Sequence, residues 1–197
     1  MPAESLLPLA TYCALMSGTP GPNNVMLAAS GANFGYRRTL PHMLGINIGA
    51  AVLTVVVCLG LGVVFQRFPA LHGALKIVGA LYLVWLAWKL AGASVQRGSA
   101  AATPLSFTEG AMFQVVNPKT WMKAATIATM FMPADFGALQ GALLVAAIGI
   151  VVGFPLISVW ALFGVAIGRF LGSPLALRVF NGAMGLALVV LAVSLVL

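Results

Sequence analysis

Charge is what this sequence has least of. Only 7% of its 197 residues are charged, while 61% are hydrophobic, and the mean hydropathy is +1.07. No soluble domain is built that way, so the chain reads as an integral helical membrane protein. Most of the ten basic residues would lie in or beside short links between spans, which leaves no basic surface for nucleic acid. Acids are rarer still: Glu4, Glu109 and Asp135, all near span ends. No carboxylate is therefore available at mid-membrane depth as a proton relay. Proton coupling would need a lysine, groups of the substrate, or a rim acid such as Glu109 or Asp135. The two cysteines, Cys13 and Cys58, sit in apolar runs and read as buried small hydrophobes, not as redox or metal groups. No Walker A loop, H-E-x-x-H or mid-depth Ser/His pair occurs. That excludes an ATPase and an intramembrane protease; no enzyme activity, cofactor or metal is expected. The start, Met-Pro-Ala-Glu, lacks a basic n-region and predicts no cleaved signal peptide.

What is present is six apolar runs, at about 6–33, 43–65, 70–90, 108–132, 137–168 and 175–197. The links after the first, third and fifth carry Arg37, Arg38, Lys89, Arg97, Arg169 and Arg178. The opposite side has Arg67 and Lys76. This bias predicts cytoplasmic odd-to-even links and both termini outside. His42 and His72 are expected in loops, solvated.

The first run has no charge from Ser5 to Tyr36, a stretch of 32 residues, yet Ser17-Gly-Thr-Pro-Gly-Pro-Asn-Asn24 lies near its middle. A continuous helix tolerates Pro20, Pro22, Gly18 and Gly21 poorly. The spacing predicts a helix that unwinds at Gly18–Gly21 and restarts at Pro22. Irregular backbone at that depth survives only where protein or a watery cavity satisfies it, and such breaks point to transport sites. The structural alternative is a plain kink, since Pro and Gly are common in membrane helices.

The fourth run contains a second break. Asn117-Pro118 combines a good N-cap with the residue best suited to the first helical position. An internal repeat links the two: Pro22-x-x-x-Met26-x-Ala28-Ala29 matches Pro118-x-x-x-Met122-x-Ala124-Ala125. The Ala91–Ser106 linker separates the halves. With three spans in each half (about 1–95 and 105–197), the second is expected to insert upside down relative to the first. The predicted fold is one all-α transmembrane domain, 1–197: six helices in two inverted three-helix repeats, helices one and four broken.

Two half-helices would then start near mid-depth with free N–H groups, an arrangement that attracts a carboxylate. Candidate substrate-binding residues are Gly21, Asn23, Asn24, Asn117, Lys119 and Thr120. Lys119 stands at the repeat position of Asn23 and is the expected charge partner. Lys123, one turn on along the same face, is a coupling candidate beside Glu109 and Asp135; its alternative is to snorkel. Pro20, Pro22, Pro118 and Pro155 are expected hinges or breaks. Gly45-x-x-x-Gly49, Gly149-x-x-x-Gly153 and Gly164-x-x-x-Gly168 read first as packing within the bundle and second as a homodimer face.

Thr19-Pro-Gly-Pro-Asn-Asn24, Gly35-Tyr-Arg-Arg38 and Gly45-x-x-x-Gly49 resemble the LysE/RhtB family of amino-acid exporters. So do Gly79-Ala-Leu-Tyr-Leu83 with Trp88-Lys89, Phe107 through Gly110, and Asn117-Pro-Lys-Thr-Trp121. Pro-Gly-Pro-Asn-Asn and the Pro104-Leu-Ser-Phe107 lead-in are similar to its cysteine/O-acetylserine exporter branch. The resemblance implies ion-gradient-driven export of an amino acid or close derivative across the bacterial inner membrane. The coupling ion, proton or sodium, is left open. A passive channel is the alternative. A membrane thiol/disulfide carrier is a weaker one, because the repeat mates of Cys13 and Cys58 are Glu109 and Phe154.

Overall fold

The computed structural model describes residues 3–61, 69–91, 103–171 and 173–197. Their regular structure is entirely helical. The first run forms α1 (Ala3–Gly18) and α2 (Pro22–Phe34). The second is α3 (Tyr36–Val56), followed by a π-helical turn at Val57–Leu61. The third is α4 (Pro69–Ala91). The fourth is α5 (Phe107–Val116) and α6 (Pro118–Met130). Then come α7 (Ala138–Phe170) and α8 (Pro174–Val196). Both breaks fall where the prolines and glycines predict them.

Four segments are long and apolar enough to cross a membrane: Tyr36–Leu61, Gly73–Leu90, Ala138–Phe170 and Pro174–Val196. At most 39% of any such window is buried within the protein. Val151, Val159, Leu175 and Leu186 are among many large apolar side chains on the outside. A soluble protein does not expose a continuous apolar surface of that kind; the bilayer is its solvent.

Three expectations are corrected. α3 begins at Tyr36, not near 43, because the chain turns through one residue, Gly35, at φ +79°. Arg37 and Arg38 therefore sit in the first turn of a helix instead of a loop. His42, expected in a solvated loop, is wholly buried in α3. His72 is likewise in a helix, α4. Arg67, Arg97 and most of the Ala91–Ser106 linker lie outside the described residues.

Close backbone approach holds the bundle together. A Cβ on Gly164 would meet the Ala28 carbonyl, and one on Gly31 the Ala161 carbonyl, so α2 and α7 touch at their backbones. α3 and α5 do the same: a Cβ on Gly45 would meet the Phe107 carbonyl, and one on Gly49 would stand 2.7 Å from the Ala111 backbone. These small-residue patterns thus face partners in the same chain. Gly149 and Gly153 also point inward, at Lys123 Nζ and at Ser17 and Asn47. Cys13 and Cys58 are free thiols packed around one apolar cluster with Leu9, Ile127 and Val145.

Candidate functional site

Breaking a helix leaves its last carbonyls without partners, and burying them unpaired costs about 1–3 kcal/mol each. At the first break side chains donate to the carbonyls of Ser17, Gly18, Thr19 and Pro20. The Ser17 carbonyl accepts from Asn24 Nδ2 at 2.9 Å. The Gly18 carbonyl accepts from the Trp160 indole of α7 at 3.0 Å. The Thr19 carbonyl accepts from Asn24 Nδ2 (2.8 Å) and Lys119 Nζ (2.7 Å). The Pro20 carbonyl accepts from Lys119 Nζ at 3.2 Å, and Thr19 Oγ1 lies 2.8 Å from the same ammonium. Gly21 makes room for this: a Cβ there would stand 3.1 Å from Lys119 Cδ.

Trp160→Phe removes one donor and keeps most of the ring's bulk. It is expected to cost about 1–3 kcal/mol by orphaning the Gly18 carbonyl. Thermal melting in detergent, compared with the wild type, checks this.

The second break is tighter. Asn117 is extended (φ −85°, ψ 109°), and its side chain caps α6 by accepting from the Lys119 N–H at 3.1 Å. Pro118 fills the first helical position. The Trp121 indole donates to the Val115 carbonyl at 2.7 Å. Gln114, fully buried one turn before the break, joins the two breaks. Its Oε1 accepts from Asn23 Nδ2 (3.0 Å), Thr120 Oγ1 (2.7 Å) and, at 3.5 Å, Asn117 Nδ2. Its Nε2 donates to Asn23 Oδ1 at 3.2 Å and to the Gly110 carbonyl at 2.8 Å.

All six candidate binding residues line one polar cavity of about 50 Å³. Ser17, Asn47, Gln114 and Lys123 line it too. By volume it holds a few waters. α2 enters it with no side-chain cap on its first turn, unlike α6. Pro20 lies in the first break; Pro22 and Pro118 start the restarted helices.

The remaining candidates lie elsewhere. Glu109 closes a capping box with Ser106 at the start of α5 (2.7 and 3.2 Å) and stands 3.9 Å from Lys89 Nζ. Asp135 is exposed in the α6–α7 turn. Pro155 is exposed on α7, which runs through it as one helix. Sequence reasoning missed Gln114, Asn47 and Trp160. A lone Gln three residues before a break was a usable signal; Asn47 and Trp160 gave none, since only packing brings α3 and α7 to the first break.

A sequence model of the LysE type translocators matches residues 14–197. The chain belongs to that family. This LysE-type chain is also 31% identical over 122 residues to the cysteine/O-acetylserine efflux protein of Escherichia coli strain K12 and to that of Shigella sonnei. Each match covers 61% of this chain and 62% of the relative, so the chain spans under two thirds of the relatives' length. A protein of the same description from Escherichia coli O1:K1 is 30% identical over the same length. No solved structure matches.

Proposed function

We propose that this LysE-type protein is a secondary transporter that exports a small amino acid or close derivative across the bacterial inner membrane by alternating access. One observation carries the reading: two helix breaks from different halves of the chain meet at a single polar cavity inside an apolar bundle. Membrane helices are broken at such depth where a polar solute must be received. The relatives' description as cysteine/O-acetylserine efflux proteins supports the substrate class.

The substrate would lie between the start of α2 (Gly21, Asn23, Asn24) and that of α6 (Asn117, Lys119, Thr120), its carboxylate toward the uncapped first turn of α2. Asn24 and Asn117 mainly hold the breaks, since their side chains are committed to backbone groups. Six spans in two inverted repeats fit the packing. α3 lies on α5 as α7 lies on α1, α2 lies on α7 as α6 lies on α3, and α4 pairs with α8. Pro20, Pro22 and Pro118 would keep the breaks fixed while the halves rock. The positions of Arg37, Arg38, Lys89, Arg169 and Arg178 favour both termini outside.

Counter-flow in proteoliposomes tests the proposal. Vesicles loaded with unlabelled cysteine, O-acetylserine, alanine, serine or lysine are given the same compound labelled outside. Saturable uptake that depends on internal substrate is expected for at least one small neutral compound. Flux that rises linearly with concentration and needs no internal substrate would instead make the protein a channel.

A further inference from the structure

The two lysines of the cavity are not equivalent. Lys119 is saturated: its ammonium already meets three oxygens of the first break. Lys123, one turn further along α6, lines the same cavity. It also lines a small adjoining recess with Asn47, Thr54, Val145 and Gly149. Among the described residues no hydrogen bond or ion pair reaches its ammonium. Its nearest titratable neighbours are the Cys13 thiol, which lies with it beside Gly149, and the Lys119 ammonium; neither is a carboxylate. The described lining of both spaces contains no carboxylate. An unpaired ammonium inside a membrane protein is costly, and here the uncapped start of α2 adds further positive potential to the same cavity.

We propose that Lys123 receives the substrate's carboxylate, while Lys119 is a latch that ties the start of α6 to the first break. This rests on the exporter reading and sharpens its substrate class. A carboxylate entering the cavity would meet Lys123 and the free N–H groups of α2 together. Its α-ammonium would find only neutral acceptors, such as the side-chain oxygens of Ser17 and Asn47. A lysine or arginine side chain would bring another positive charge into a cavity already holding two, with no acid in the described lining to balance it. The site therefore selects small amino acids with neutral side chains and rejects basic ones.

Binding can be read without transport. The purified full-length protein in detergent is melted with and without cysteine (kept reduced), alanine or propionate. Cysteamine and ethylamine, which lack the carboxylate, serve as controls, and lysine tests the excluded class. The carboxylates without a basic side chain are expected to raise the melting temperature; the two amines and lysine are not. Lys123→Met should weaken the apparent affinity for alanine by about tenfold or more, the worth of one charge-assisted contact. Lys123→Arg should retain most of it. Lys119→Met should lower the ligand-free melting temperature, because the Pro20 carbonyl loses its side-chain donor and the Thr19 carbonyl one of its two, and should still respond to alanine. An unaltered response in Lys123→Met, a response abolished only in Lys119→Met, or no carboxylate response in the wild type would each overturn the assignment. Counter-flow of cysteine in the same variants separates the two claims. Carboxylate binding at Lys123 without any counter-flow would leave the site standing and remove the exporter reading.

Discussion

Gly164→Leu is expected to drive α2 and α7 apart. A side chain there would run into the Ala28 carbonyl, which is backbone and cannot rotate away. Overpacking a core usually costs about 1–3 kcal/mol; with backbone as the obstacle the cost should reach the top of that range or pass it. α2 is also the helix that opens the polar cavity, so its displacement should abolish carboxylate binding as well. Gly182→Leu is the control. A Cβ at that exposed position meets nothing within 4 Å, and its melting temperature should stay near the wild type's. Equal melting temperatures for both variants would mean that the α2–α7 contact is looser than described.

Gln114→Leu should have the second large effect. Leucine can fill much of the volume but cannot replace the hydrogen bonds. Asn23 would lose both of its links to α5, Thr120 its acceptor, and the Gly110 carbonyl its side-chain donor. Each buried group left unpaired costs about 1–3 kcal/mol, though these groups act as one network and the losses need not add. The two breaks would lose the side chain that spans them, so counter-flow should fall along with stability. Val115→Leu, one residue away and exposed, should leave both unchanged. A Gln114→Leu protein that melts and transports normally would show that the breaks are held without this bridge.

Both predictions concern features that differ in how visible they are to a reader of the sequence. The breaks were visible, because Pro and Gly act on their own backbone: Pro20, Gly21 and Pro22 interrupt a helix whatever surrounds them. Asn117-Pro118 was visible for the same reason. The start of α3 was misplaced because one glycine at positive φ can turn the chain where a polar loop seemed necessary. The burial of His42 was invisible. Whether a histidine in an apolar run faces lipid, water or protein depends on which helix lies against it, here α5 through Gly110. Lys119 was legible as a charge deep in the fourth run and Lys123 as one that could face the site or snorkel; their unlike environments were not.

The sequence by itself determined the membrane class, the two breaks, their candidate polar residues and the family resemblance. These follow from composition and from local backbone chemistry, which act over a few residues. The tertiary structure decided which residues meet. It set Lys119 against carbonyls about a hundred positions away, and placed Gln114 between Asn23 and Thr120. It also left Lys123 facing the cavity without an acid. Those pairings depend on how α2 and α6 are oriented by α3 and α7, and long-range packing of that kind has no local signature in the chain.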